Sequence, residues 1–276
     1  MQQSKLIQLL KSLSKKEFKE FQGYVSSEFF NKNQQLVRLL DHLSNYQGYF
    51  DTSKVDKEVF IPKHYPNENL EEQKFRYLQS DLTKLLEDFI AYTQYSKDSF
   101  QRRYFLLEAL NQRNQDKYFL QELDAIKELN DNSPFRDSQY YFNQHKISEL
   151  SYQHTSEKRN RAFDSSLQEV IDNLEITYLA RGFRYYCEMI NRRNILSVEY
   201  NLSFFDEMVQ YLNNATFDFV PAIRIYRLIH KALTEPDNQQ NYTELLRSLD
   251  EHCNLFSKPE QRGMYVFAQN YCIKRI

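Results

Sequence analysis

The sequence predicts an all-α fold: an N-terminal helical bundle over residues 1–96, then α-solenoid-like antiparallel helical hairpins over 97–276. Three observations carry that prediction. Apolar residues recur at three- and four-residue steps along almost the whole chain, the pattern of helices with a face turned inward. No stretch alternates apolar and polar residues for long enough to make a convincing strand. Only 4 of the 276 residues are Gly, too few for P-loops, dinucleotide-binding fingerprints or Greek-key sandwiches, which need glycine at fixed places.

Helices are expected, in order, at about 3–13, 15–27, 33–47, 54–61, 69–96, 98–112, 115–131, 135–155, 162–191, 202–214, 220–234, 241–256 and 259–276. The second opens on Ser14-Lys-Lys-Glu17, a capping box in which Ser satisfies the third amide and Glu reaches back. The third ends near Gly48, a residue suited to closing a helix after Tyr46. The segment 48–66 is the least regular, and Val55 to Ile61 is the nearest thing to a strand. From 69 to 96 the stripe is clear: Phe75, Leu78, Leu82, Leu85, Leu86, Phe89 and Tyr92. Asp98-Ser-Phe-Gln101 caps the next helix, and Ser133-Pro134 and Val220-Pro221 place proline near a first turn, where its missing amide costs nothing. Between 162 and 191 two stripes coexist. One runs Phe163, Leu167, Val170, Leu174, Tyr178, Tyr185; the other runs Ile176, Leu179, Phe183, Tyr186, Ile190. A helix apolar on two faces is expected between neighbours, near the centre of the assembly. Asn241-Tyr-Thr-Glu244 and Ser257-Lys-Pro-Glu260 supply caps for the last two helices.

The spans 98–131, 202–235 and 241–276 each approach the ~34 residues of a tetratricopeptide-type (TPR) hairpin. The Trp, Leu-Gly and Ala positions of that repeat are largely missing, so the hairpins are TPR-like by size and pairing only; the alternative is an irregular helical bundle. The last helix carries Met264, Phe267, Ala268 and Tyr271 on one stripe and Val266, Asn270 and Ile273 on another, with no glycine cap or polar tail behind it. Solenoids usually end on a polar outer face, so the expectation is a chain truncated at its C-terminus; the alternative is a helix that simply ends there.

A net charge of −2, with 27% charged and 41% hydrophobic residues, describes a globular chain without a global field to draw it onto nucleic acid. Tyr and Phe number 21 each and Trp is absent; Tyr packs an edge against a core while its hydroxyl stays in water. Cys187, Cys253 and Cys272 are odd in number and lack CxxC spacing, which reads as free thiols in a reducing compartment. The N-terminal apolar run is too short and interrupted for a signal peptide, and no window approaches the ~18 apolar residues of a membrane span. The expected location is the cytoplasm.

Two stretches carry a resemblance. Lys5 to Phe21 (KLIQLLKSLSKKEFKEF), followed by Ser27 to Asn31 (SEFFN), resembles the opening of an uncharacterised family of long bacterial all-helical, TPR-like proteins. Tyr265 to Cys272 (YVFAQNYC) resembles a segment from the middle of such proteins. The similarity covers about the first forty residues and a dozen near the end. It implies an all-helical, intracellular bacterial protein and brings no established activity, cofactor or catalytic motif.

Candidate chemistry is sparse. His145 and Glu149 share a helical face, with His154 further on, but zinc catalysis wants a third protein ligand and none is adjacent. His252 and Cys253 point about 100° apart on a helix. There is no GxSxG elbow, and the cysteines sit in or beside apolar stripes. Glu71-Glu72, Glu87-Asp88, Asp206-Glu207 and Asp250-Glu251 read as solvated helix faces, because general-acid work needs a desolvated carboxyl. No catalytic residue, metal or cofactor is assigned.

The basic, aromatic-interleaved stretch is the richest. Lys158-Arg159-Asn160-Arg161 precedes the long helix, and Arg181, Arg184, Arg192 and Arg193 follow among Tyr178, Tyr185 and Tyr186. Arg beside Tyr suits a peptide-carboxylate clamp or a phosphate-and-base contact. Asp164, Glu169, Asp172, Glu175 and Glu188 in the same segment make an internally paired, solvated face the competing reading. The N-terminal helices also have helix-turn-helix spacing, with Asn33, Gln34, Gln35 and Arg38 on the third, but Asp41 and the near-neutral total weigh against base reading. The functional expectation is a non-enzymatic helical scaffold that binds a protein or peptide partner through Tyr178, Arg181, Arg184 and Tyr185. The alternatives are a regulator contacting nucleic acid and an enzyme whose site shows no motif.

Overall fold

The computed structural model describes residues 4–50, 53–64, 72–156, 165–196, 198–214 and 217–273. Among these it contains thirteen α-helices, two short 3-10 turns and no strand. The chain divides into two compact units, Met1–Ser99 and Phe100–Ile276.

The first unit holds α1 (Lys5–Ser12), α2 (Lys15–Ser26), α3 (Gln34–Ser44), a 3-10 turn (Ser53–Val55), α4 (Lys57–His64) and α5 (Glu72–Lys97). Its helix starts are local chemistry. Ser4 accepts the Ile7 amide at 3.4 Å. Ser14 Oγ accepts the Glu17 amide at 3.2 Å while Glu17 Oε2 accepts the Ser14 amide at 2.9 Å, so the capping box forms. Those bonds hold the Glu17 carboxyl below its ordinary range. The link from α2 to α3 is pinned by Asn31, a buried side chain that is saturated: Nδ2 donates to Val25 O at 2.8 Å and Asn33 O at 3.1 Å, and Oδ1 accepts the Asn33 amide at 2.8 Å. Asn33 in turn caps α3 through the Gln35 amide at 3.0 Å.

α5 is the spine of this unit, packing against α1, α2 and α3. Phe75, Leu78, Leu82, Leu86 and Phe89 meet Leu6, Leu10, Phe21 and Leu39 in one core. Tyr92, the last residue of the expected stripe, lies outside that core and half exposed. α3 stops at Ser44 rather than near 47, and the chain continues in turns to Gly48, whose φ of 93° suits a residue without Cβ. Val55 to Ile61 is helical: it spans the end of the 3-10 turn and the first half of α4, with Phe60 buried.

The second unit holds α6 (Ser99–Gln112), α7 (Asp116–Asp131), α8 (Ser138–Ser156), α9 (Ser165–Leu196), α10 (Phe205–Asn214), α11 (Pro221–Thr234), α12 (Gln239–His252), a 3-10 turn (Cys253–Leu255) and α13 (Lys258–Ile273). α6, α7 and α8 share a small core of Phe100, Leu107, Phe119, Ile126 and Ile147. The larger core gathers α8 to α13 around Leu179, Phe183, Ile190, Tyr226, Leu245 and Phe267. The most extensive packing joins α8 to α9, α9 to α11 and α11 to α12.

Three expectations are corrected here. The two stripes of the long helix are not both covered: Leu179, Phe183 and Ile190 are buried, whereas Leu167, Leu174, Tyr178 and Tyr185 remain exposed. Asn238, three residues ahead of Asn241, caps α12 by accepting the Gln240 amide at 3.2 Å, and Asn241 Nδ2 donates to Glu235 at 2.8 Å instead. Ser133-Pro134 lies in the preceding turn; α8 is capped by Asp137, whose Oδ1 accepts the Gln139 and Tyr140 amides at 3.0 and 3.1 Å.

Replacing Asn31 by Ala strands the Val25 carbonyl and the Asn33 amide, each unsatisfied buried group costing about 1–3 kcal/mol, while Asn33 O keeps the Leu36 amide at 3.1 Å. Asn31→Ala is expected to lower the stability of the first unit by about 2 kcal/mol or more, read as an earlier urea midpoint. An unchanged midpoint would show that water satisfies both stranded groups.

Candidate functional site

α9 is half-buried lengthwise, and that decides where its polar residues go. With Phe183 and Cys187 turned to the core, Arg181, Arg184 and Tyr185 reach a crevice of about 360 Å³ between the start of α8, the middle of α9 and the start of α13. Asp137, Ser138 and Gln139 form one wall, and Ser257 and Glu260 another. Arg136 fastens the two walls nearby, its amide donating to Leu255 O at 2.7 Å.

Glu260 is the residue that the expected capping box misplaced. Its side chain turns inward and is only 4% exposed. Oε1 accepts the Tyr226 hydroxyl at 2.9 Å and Oε2 lies 3.8 Å from Arg184 Nη1. Burial pushes the Glu260 carboxyl above its ordinary range and Asp137 pushes the same way, against Arg184 and the Tyr226 hydroxyl. Tyr226 is itself buried, and burial together with the Glu260 charge pushes its phenol up, so it stays a donor. Behind it, the Cys187 thiol donates to Tyr226 O at 3.4 Å. Burial drives that thiol upward, away from thiolate chemistry.

Arg181 donates from Nη2 to Gln139 Oε1 at 3.0 Å and stacks its guanidinium 4.2 Å from the Phe142 ring centre. Arg184 lies 6.0 Å from the Tyr185 ring centre. Two guanidinium groups thus meet two carboxylates, and the crevice is charge-balanced. An added carboxylate or phosphate would compete with Asp137 and Glu260 for those cations.

Tyr178 does not line the crevice. Its ring lies 6.1 Å from Phe204, a residue just ahead of α10 with φ of 66°. A bulky side chain in the left-handed region is a strained outlier. Yet the Phe204 ring is 57% exposed and Tyr178 46% exposed. The neighbouring Tyr186 hydroxyl donates to Ser203 O, anchoring this turn to α9. Lys158 to Arg161 lie outside the described residues, and Arg192 is paired with Glu188 at 2.7 Å.

The histidines are occupied by their surroundings. His145 Nδ1 donates to Val170 O at 3.3 Å. His154 Nδ1 meets Asn111 Oδ1 at 2.7 Å, with its ring stacked 3.9 Å from Phe119. His252 lies 3.8 Å from Glu251. His42 and His64 make a pair that spacing alone did not single out: His42 Nε2 donates to Lys54 O at 2.9 Å, leaving Nδ1 to accept from His64 Nε2 at 3.3 Å. Burial, and for His64 the neighbouring His42, hold both below the ordinary imidazole range. Among the described residues no three His, Cys, Asp or Glu side chains are grouped as a metal site, and no helix is long and apolar enough to cross a membrane. All three cysteines are free.

The Glu260 carboxyl, raised in the folded state, stabilises the fold most when protonated. Its contribution is full below the unfolded value and is lost as pH rises through the folded one. The parent is therefore expected to gain stability as pH falls from neutral toward the ordinary carboxylate range, and Glu260→Gln, neutral throughout, to lack that part of the gain. Urea midpoints followed from pH 7 down to about pH 4, below the ordinary carboxylate value, check this; the same pH dependence in parent and variant would refute it.

No protein-family model, no curated protein and no solved structure matches the chain, so its function has to be argued from its own residues.

Proposed function

We propose that this chain is a non-enzymatic helical scaffold, its second unit built of TPR-like helical hairpins, that holds a protein or peptide partner on the open face of α9. The observation that carries the proposal is the pairing of strain with exposure at Phe204. Left-handed backbone at a bulky residue costs on the order of 1–3 kcal/mol, and here it presents an aromatic ring to solvent beside Tyr178. Strain of this kind persists where function needs it, and a partner's apolar side chains would repay it by burying both rings. The same face continues along α9 through Leu167, Ile171 and Leu174, all exposed and at helical spacing. An exposed contiguous apolar stripe of that sort marks an interaction surface.

Arg181, Arg184 and Tyr185 flank this face and supply a polar edge. Because both guanidinium groups are engaged within the crevice, they are read as orienting the partner through remaining donors, with the apolar stripe supplying affinity. Arg184 also neutralises a buried acid, so its removal would report on stability as well as on binding. A cytoplasmic location accords with the free thiols.

The test separates binding from folding. Phe204→Gly relaxes the backbone, and Tyr178→Ser removes an exposed ring. Neither is expected to lower the melting temperature by more than about 2 °C, and each should strip the tagged chain of a stoichiometric protein captured from extract of its own organism, with or without nuclease. Capture that persists in both variants, or that disappears with nuclease in the parent, overturns the reading.

A further inference from the structure

A second cavity, away from the α9 face, carries an excess of cations where the first is charge-balanced. It measures about 400 Å³ and lies between α11 and α12, lined by Arg224, Arg227 and Lys231 from α11 and by Arg247 and Glu244 from α12, with Asp218 ahead of α11. Four cations face two carboxylates. Asp218 lies 3.6 Å from Arg227 and is 77% exposed, which makes it a weak, screened partner. Arg224, Lys231 and Arg247 make no ion pair among the described residues, although Glu244 stands one turn before Arg247.

The spacing sharpens this. Arg224, Arg227 and Lys231 occupy positions i, i+3 and i+7, one face of one helix, and like charges at such spacings destabilise it. All three are half-buried, so water screens their repulsion less than on an open surface. A chain with net charge −2 has acids to spare, yet only Asp218 and Glu244 stand by this row and its partner Arg247.

We infer that the α11–α12 cavity is a binding site for a small polyanion carrying two or more adjacent phosphoryl groups. Three guanidinium forks and one ammonium converge on it, and guanidinium groups match phosphate oxygens two at a time. A single phosphate would leave most of the donors and most of the volume unused. A nucleic-acid backbone, by contrast, needs cations strung along a track; here they converge in one concavity, with Asp218 and Glu244 set among them.

Calorimetric titration and thermal melting of the full chain at fixed ionic strength test the assignment, with inorganic pyrophosphate, inorganic phosphate and a single-stranded oligonucleotide as probes. Pyrophosphate is expected to bind at one site, about tenfold or more tighter than phosphate, and to raise the melting temperature saturably. Arg224→Gln combined with Lys231→Gln should weaken it about tenfold or more, while the ligand-free melting temperature holds or rises because the repulsion is relieved. Arg247→Gln, on an exposed position that does not threaten folding, should weaken it too, and Asp218→Asn should tighten it. The inference is overturned by pyrophosphate binding unchanged in Arg247→Gln and Asp218→Asn, by no saturable binding in the parent, or by an oligonucleotide whose affinity exceeds that of pyrophosphate and grows with length.

Discussion

The second unit depends on the burial of one face of α9. Thirty-two residues form a single helix, and Leu179, Ala180, Phe183, Cys187 and Ile190 along its inner side are covered by α8, α10 and α11. Each large apolar side chain removed from water there contributes about 1.5–3 kcal/mol, which outweighs what any surface ion pair on the same helix supplies. Once that face is committed, the rotation of α9 is set, and with it the destination of every other residue on the helix. Arg181 and Arg184 are carried toward α8 and α13, and Tyr178 toward Phe204. In the first unit α5 has the same role at smaller scale, presenting one stripe to α1, α2 and α3.

The two cavities of the second unit show how similar residue types give different chemistry. Around Arg181 and Arg184 the cations are engaged: one donates to Gln139 and stacks on Phe142, the other answers the buried Glu260, itself held by Tyr226. This crevice is part of what holds α8, α9, α11 and α13 together. Around Arg224 and Lys231 the cations have no comparable partners. Low dielectric raises the cost of an unpaired group and the benefit of a paired one alike. Charge balance, more than cavity size, distinguishes the two.

Local chemistry was legible wherever the partners lie within a few residues. The Ser14–Glu17 box, proline at the start of α11 and the α5 stripe all follow from contacts at i+3 and i+4, which sequence displays directly. Two of the misplacements share a cause. Asn241 and Glu260 have the residue types of helix caps, but a partner outside the first turn offered more: Glu235, six residues back, for the first, and Tyr226 and Arg184, on other helices, for the second. Sequence places Arg181, Arg184 and Tyr185 on one face; that Asp137 and Glu260 stand opposite them came from no motif, because the cap of α8 and the start of α13, far apart in sequence, bring those two residues there.

The sequence by itself determined that the chain is helical, roughly where each helix lies, and which residues share a face. Helical periodicity is a property of each segment and needs no neighbour. Only the tertiary structure decided which of the two apolar stripes of α9 is covered, that Phe204 is forced into a left-handed conformation beside Tyr178, and that Arg247 joins the cations of α11. Those outcomes turn on how helices far apart in sequence settle against one another. A stripe states that a face is apolar; whether another helix lies over it is settled by packing of the whole unit.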